Sequence, residues 1–192
     1  MINAIVSLEG EILTYIQTVI RSAPLDLFMK IITTLGDAGI LWILACLVML
    51  IFKKTRIVGI AGAISLIAEF LCVNVVLKNI IQRARPYEVI EGLNILIATP
   101  HDYSFPSGHA GSAFAVAIVM LLMLPKRWGI PALIMASLMA LSRLYVGVHF
   151  PTDVIAGALI GMGTAFFSVF LVDRLKLETT NLRKKAAEVD HT

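Results

Sequence analysis

Apolar residues in this chain gather into long runs separated by short polar connections. Residues 28–52, 57–77, 110–124, 130–144 and 154–172 are each nearly free of charge. A helix that crosses a bilayer needs roughly 20 consecutive apolar residues. The runs therefore predict five spanning helices, the shorter ones extended by their flanks. Residues 2–21 follow a different pattern. Ile5, Leu8, Ile12, Ile16 and Val19 recur at helical spacing, while Glu9, Glu11, Gln17 and Arg21 occupy other faces. That arrangement favours an amphipathic helix lying in the membrane interface over a sixth span. A helix packed in the bundle would hide its polar side equally well, so both placements stay open. The expected fold class is all-α: an integral membrane helical bundle without a sheet, because open sheet edges are not tolerated in lipid.

Composition agrees with this picture. The chain has 192 residues, 58% hydrophobic and 15% charged, which departs from soluble globular usage. The length suits one domain, residues 1–177, followed by a polar tail, residues 178–192, frayed beyond a helical extension of the last span. No basic segment precedes the first apolar run and no small-residue cleavage site follows it, so a signal peptide is not expected. Lys53, Lys54 and Arg56, then Lys126 and Arg127, then Arg174, Lys176, Arg183, Lys184 and Lys185 fall on one side if the five spans alternate. The positive-inside rule makes that side, and the C-terminus, cytoplasmic. The net charge of +3 fits anionic headgroups, and nothing points to nucleic acid. Cys46 and Cys72 lie within predicted spans without metal-ligand spacing, which suits packing. Oligomeric state is not encoded legibly.

Three polar segments break the apolar pattern on the opposite, outer side. They are Lys78-(six residues)-Arg85-Pro86, Pro106-Ser107-Gly108-His109 and Ser142-Arg143-(five residues)-His149-(three residues)-Asp153. Pro86 disfavours α conformation at Arg85, so the second span should stop about there. Ser107 is a good N-cap and Gly108 admits close approach of a ligand, making the start of the third span an anion site. His149 stands just before Pro151, which suits the first turn of the fifth span, and Asp153 falls four residues after His149, close enough for carboxylate and imidazole to meet across the helix start.

Each group has a bland alternative. His149 with Asp153 would pass as a capping carboxylate beside a surface histidine. An aspartate that accepts the Nδ1–H leaves Nε2 unprotonated and directed outward, as a nucleophile requires. The i, i+4 spacing also suits a metal, but Lys78, Arg85 and Arg143 would repel a cation. His109 beside the phosphate-binding turn is the natural general acid. The three cations would otherwise be snorkelling residues at span ends, which leaves their spacing against the histidines unexplained. Ser142 suits a local helix hydrogen bond. Glu69 and Asp37 are intramembrane carboxylates, for which function is the default reading, with a buried structural hydrogen bond with Asn74 or a neighbouring helix as the alternative. His101, Asp102 and Tyr103 are candidates for a substrate contact.

The order and spacing of the three segments resemble the signature of the type 2 phosphatidic acid phosphatase superfamily, which includes membrane lipid phosphatases and soluble vanadium haloperoxidases. Every signature position is matched. The resemblance implies a metal-independent lipid phosphatase without cofactor, its partners the lipid substrate and the bilayer. His149, His109 and Asp153 would be catalytic, and Lys78, Arg85, Arg143, Ser107 and Gly108 would bind phosphate. His149 would attack phosphorus, and His109 would protonate the leaving group and then help activate water against the phosphohistidine. Candidate substrates are undecaprenyl diphosphate, phosphatidylglycerophosphate, phosphatidate or a phosphorylated lipid A. Two other readings compete. A haloperoxidase would use the same constellation for vanadate, but those relatives are soluble and much longer. A carrier of anionic lipids would need the cations but not two histidines and Asp153.

Overall fold

The structure is a computed structural model that describes the backbone of residues 2–189 and the side chains of residues 7–176. Its elements are α1 (Ile2–Tyr15), continued by a wider π turn over Ile16–Ile20, α2 (Ala23–Leu35), α3 (Ile40–Ile51), α4 (Arg56–Phe70), a π-helical stretch Leu71–Leu77, α5 (Lys78–Ile81), α6 (Pro86–Val89), α7 (Gly108–Met123), α8 (Lys126–Tyr145) and α9 (Pro151–Val189). No strand occurs among the described residues, so the all-α expectation holds.

Helix α7 is the axis of the bundle. Its GHAGSAFAVA start is rich in small residues, and Ala110, Gly111, Ser112, Ala113 and Ala115–Val119 are all buried. Small side chains let helix backbones approach closely, which is how packing holds helices together in lipid. On one side α9 runs alongside α7. A Cβ at Gly157 or Gly161 would overlap the Ser107 or Gly111 carbonyl. On another side α4 descends past it, with Glu69 lying over Gly111 and Asn74 over Gly108. Gly108 thus serves helix contact as well as ligand approach. Helix α8 returns antiparallel, placing Gly129 against Leu121 and Arg143 beside His109. This zigzag brings residues 74–85, 102–109 and 142–153 to one end and leaves the connections at 52–55 and 124–125 at the other.

Around this core the outer faces are greasy. Leu47, Ile67, Phe70, Ile134, Leu159 and Phe167 are exposed, a surface larger than a soluble monomer tolerates. Among the described residues, three helical stretches are long and apolar enough to cross a membrane, Arg56–Val89, Lys126–Tyr145 and Pro151–Lys176. The chain is a multi-pass membrane protein.

Two of the five predicted spans depart from the expectation. The run at 28–52 is no single helix: Ala23–Leu35 and Asp37–Ile51 meet at a 48° bend. The sequence Gly36-Asp37-Ala38-Gly39 explains the break, because Ala38 (φ 51°) and Gly39 (φ 70°) sit in the left-handed region, which helices cannot continue through. The run at 110–124 becomes a helix of 16 residues, about 24 Å at 1.5 Å per residue, because Ser107 caps it at the site. Counting the bent pair as one gives four candidate spans among the described residues.

At the N-terminus the amphipathic helix forms, but its faces are assigned differently from the sequence expectation. Leu8, Ile12 and Val19 are exposed, whereas Glu9 (3% exposed) and Leu13 (1%) turn into the protein. The polar tail continues α9 helically to Val189; residues 190–192 lie outside the described residues.

Candidate active site

Helix ends build the site. The second apolar run leaves helix at Gln82, whose φ of 49° ends α5, three residues earlier than expected. Arg85 is extended (ψ 157°) before Pro86, and its N–H donates to Glu88 Oε2 at 2.7 Å, closing α6. Ser107 is buried and accepts from Ala110 N at 3.4 Å, so it caps α7 as expected. Its neighbour Gly108 faces the cavity. Between Arg143 and His149 the chain turns at Gly147, φ 83°, a conformation glycine adopts without steric cost. Pro151 then opens α9 and brings Asp153 into its first turn.

These ends enclose a cavity of about 490 Å³ whose lining includes Lys78, Arg85, Arg143, His109, His149 and Asp102. The three motifs thus converge, and both imidazoles share one space with all three cations. His149 Nε2 lies 3.4 Å from Arg85 Nη1. Its Nδ1 is buried without a hydrogen-bond partner, 3.6 Å from Asp153 Oδ2. Catalytic contacts are often this long before substrate binds. Burial, together with Arg143, Arg85, Lys78 and His109, holds the His149 imidazole well below its ordinary pKa, so it is the free base at neutral pH.

His109 Nε2 lies 3.1 Å from Asp37 Oδ1 and 3.3 Å from Arg143 Nη1. A carboxylate at Nε2 favours a proton there. Asp37 is therefore not buried in a span; the helix break delivers it to the site. Arg143 Nη1 is fixed by Thr33 Oγ1 at 2.5 Å. Ser142 donates to Met139 O, the local role expected of it.

Asp102 occupies the place where an anion would be expected. It pairs with Lys78 and with Arg85, the latter at 2.6 Å. Burial pushes its carboxyl up, but the hydrogen bonds and charges of Lys78 and Arg85 outweigh that and hold it down at about 2. His101 and Tyr103, its neighbours, are exposed.

Three groups that sequence reasoning did not select surround the Asp153 carboxylate. Ser104 Oγ donates to Oδ2 at 2.5 Å and Phe150 N at 2.8 Å, while Arg83 Nη1 donates to Oδ1 at 2.6 Å. Arg83 also reaches Thr152 Oγ1 at 2.7 Å and Glu9 Oε2 at 2.6 Å. No spacing marks Arg83 or Glu9 as part of the site, since their partners are distant in sequence. Glu69 is buried with Oε1 unpartnered, so the hydrogen bond to Asn74 does not form.

A second cavity of about 650 Å³ adjoins the first, sharing Lys78, Asp102, Gly108 and His109. Away from them it is lined by aliphatic groups such as Ile43, Leu47, Leu50, Leu66 and Ile67. A charged chamber therefore adjoins a greasy one between α3 and α4.

Comparison with known proteins agrees with this arrangement. The model of the PAP2 superfamily matches residues 58–176, which include all three motifs. An undecaprenyl-diphosphatase of Sulfolobus acidocaldarius is 38% identical over 148 residues, 77% of this chain and 68% of that protein. A transmembrane PAP2-type phosphatidylglycerolphosphate phosphatase from Bacillus subtilis has a similar structure, with TM-score 0.73 and 30% identity over 90% of this chain and 88% of that one. Aquifex aeolicus LpxE matches with TM-score 0.74 and 30% identity over 83% of this chain and 93% of its own.

Proposed function

Because this chain belongs to the PAP2 superfamily, we propose that it is a metal-independent lipid phosphatase that works through a phosphohistidine at His149. One observation carries the reading: a chamber lined by two imidazoles and the three motif cations adjoins an apolar cavity and shares lining residues with it. The lipid chain would lie in the apolar cavity and present its phosphate to Lys78, Arg85, Arg143 and the start of α7 at Ser107–Gly108. Each charge-assisted hydrogen bond to phosphate contributes roughly 1.5–3 kcal/mol. These donors also neutralise the phosphoryl oxygens as the transition state forms.

In the first step His149 Nε2 forms a bond to phosphorus while the bond to the leaving oxygen breaks in line. His109, protonated on both ring nitrogens, gives its Nε2 proton to that oxygen and is left neutral, while Asp153 stabilises the new His149 imidazolium through Nδ1–H. In the second step His109 takes a proton from water, whose oxygen attacks phosphorus and releases inorganic phosphate and His149. With a diphosphate the leaving group is the lipid monophosphate; with a monoester it is the alcohol. Polyprenyl diphosphate and phosphatidylglycerophosphate are the favoured substrates, by analogy with the similar proteins.

In the membrane we place five spans, the bent α2–α3 pair and α7 included, as one domain through residue 177. The basic connections lie at the end opposite the site, so the positive-inside rule puts the site outside and the tail in the cytoplasm. Single cysteines at the exposed positions Lys54 and Glu91 test this with an impermeant reagent in whole cells. Labelling at 91 and protection at 54 are expected; the reverse would invert the topology. The function itself is tested by phosphate release from a panel of lipid phosphates in detergent with EDTA. Release is expected from the protein and not from His149→Ala; activity that EDTA abolishes would defeat the reading.

A further inference from the structure

A chain of buried charge leads from the N-terminal helix to the proposed nucleophile. Glu9 Oε1 accepts from Thr152 N at 2.9 Å and from Thr152 Oγ1 at 2.5 Å. Glu9 Oε2 accepts from Arg83, which in turn donates to Asp153 Oδ1. The Arg83 guanidinium also lies 4.0 Å over the Phe150 ring. The side chains of Glu9 and Asp153 are 4% and 0% exposed, and that of Arg83 is 22% exposed. Such a pairing is costly to assemble away from water unless every charge is matched.

Counting charges shows what Glu9 adds. Asp153 with Arg83 alone would be a neutral pair, and a neutral pair gives little support to a cationic imidazole. A second carboxylate on the same guanidinium restores one net negative charge beside His149. The rest of the surroundings are mainly cationic: Arg85, Arg143 and Lys78 lie near the same imidazole with His109, Lys30 lines the same cavity, and Asp102 and Asp37 offset them only in part. As Nε2 bonds to phosphorus the ring becomes positive, so that one charge acts where the transition state needs it.

We infer that Glu9 and Arg83 are positioning residues that set the charge and orientation of Asp153, making the N-terminal helix part of the machinery that activates His149. The inference rests on the phosphohistidine reading above. A purely mechanical role, tying α1 to the first turn of α9, would need the shape of Glu9 but not its charge.

Glu9→Gln separates the two, because it keeps the shape and leaves an oxygen for Thr152. Reaction of His149 with diethylpyrocarbonate, resolved by peptide mass and followed against pH, reads imidazole basicity without turnover. Loss of a nearby negative charge disfavours the protonated ring, so the midpoint should move to lower pH by about one unit. On lipid substrate kcat should fall about tenfold, with KM and vanadate inhibition within about twofold, since Lys78, Arg85 and Arg143 are intact. Glu9→Gln combined with Arg83→Gln restores the net charge, and the midpoint should return towards that of the unaltered protein. Glu9→Asp keeps the charge and should keep the midpoint.

An unmoved midpoint in Glu9→Gln, or equal shifts in Glu9→Gln and Glu9→Asp, would reduce Glu9 to an anchor and overturn the inference. If Glu9→Gln does not fold, the Glu9→Asp and double-variant midpoints decide the matter. An unaltered protein that releases no phosphate, yet shows the midpoint shifts, would defeat the proposed function and leave the charge chain standing.

Discussion

The two histidines stand on opposite walls of one chamber, and the walls are built differently. The His149 wall is closed: the ring is 1% exposed, and Asp153 behind it takes hydrogen bonds from Ser104, Phe150 and Arg83. Its supports come from α1, the 83–104 segment and α9. The His109 wall is open. Its partner Asp37 sits in the break between α2 and α3 with its side chain 56% exposed, beside the apolar cavity. The difference suits the proposed chemistry, in which a nucleophile benefits from being fixed before substrate arrives. The acid must hand its proton to a leaving group that enters from the lipid side, and a partner that substrate can replace permits that.

The largest blow to this comparison would fall on the closed wall. His149→Ala should lower kcat by at least about 10³-fold, measured as phosphate release, because the bond to phosphorus forms at that ring. Retained turnover would mean that the closed wall is scaffolding. His109→Ala should cost about 10²–10⁴-fold on lipid substrates, but much less on an aryl phosphate whose leaving group is already acidic. Equal losses on both would remove the proton-transfer role from the open wall.

Arg143 touches the open wall and the anion chamber together. Vanadate should inhibit the protein, and Arg143→Ala should weaken that inhibition by roughly 10–100-fold, the worth of one charge-assisted contact. The smallest effect is expected at Asp102, which holds the cations that a phosphate would take. Asp102→Asn should tighten vanadate inhibition by about threefold, a fraction of one such contact. Its pH signature has a definite sign. Because the folded carboxyl is held at about 2, its pairing favours the folded state above the ordinary value of about 4. That contribution is lost as pH falls through 2, so thermal stabilities of the two proteins should differ at pH 6 and converge in strong acid.

Much of this protein is determined by the chain alone. Long apolar runs leave a helical bundle as the stable form in lipid, since backbone groups must be satisfied within each segment. The three motifs supplied Lys78, Arg85, His109, Arg143, His149 and Asp153, and they meet because short connections between antiparallel helices return to the same end. Ser107 and Pro151 marked helix starts by their own local chemistry. Tertiary structure decided the rest. The bend at Gly36–Gly39 hid inside an apolar run, since hydropathy does not register two left-handed residues. Asp37 therefore looked like an intramembrane carboxylate rather than the partner of His109. Glu9 sat on the polar side of an amphipathic pattern, and that pattern says which faces differ but not which one turns inward when lipid covers the other. Arg83 lay two residues from a motif position, and its partners Glu9 and Asp153 are 74 and 70 residues away. Pairing across such separations is fixed by how helices pack, and packing is written in the three-dimensional fit of many side chains rather than in any local spacing.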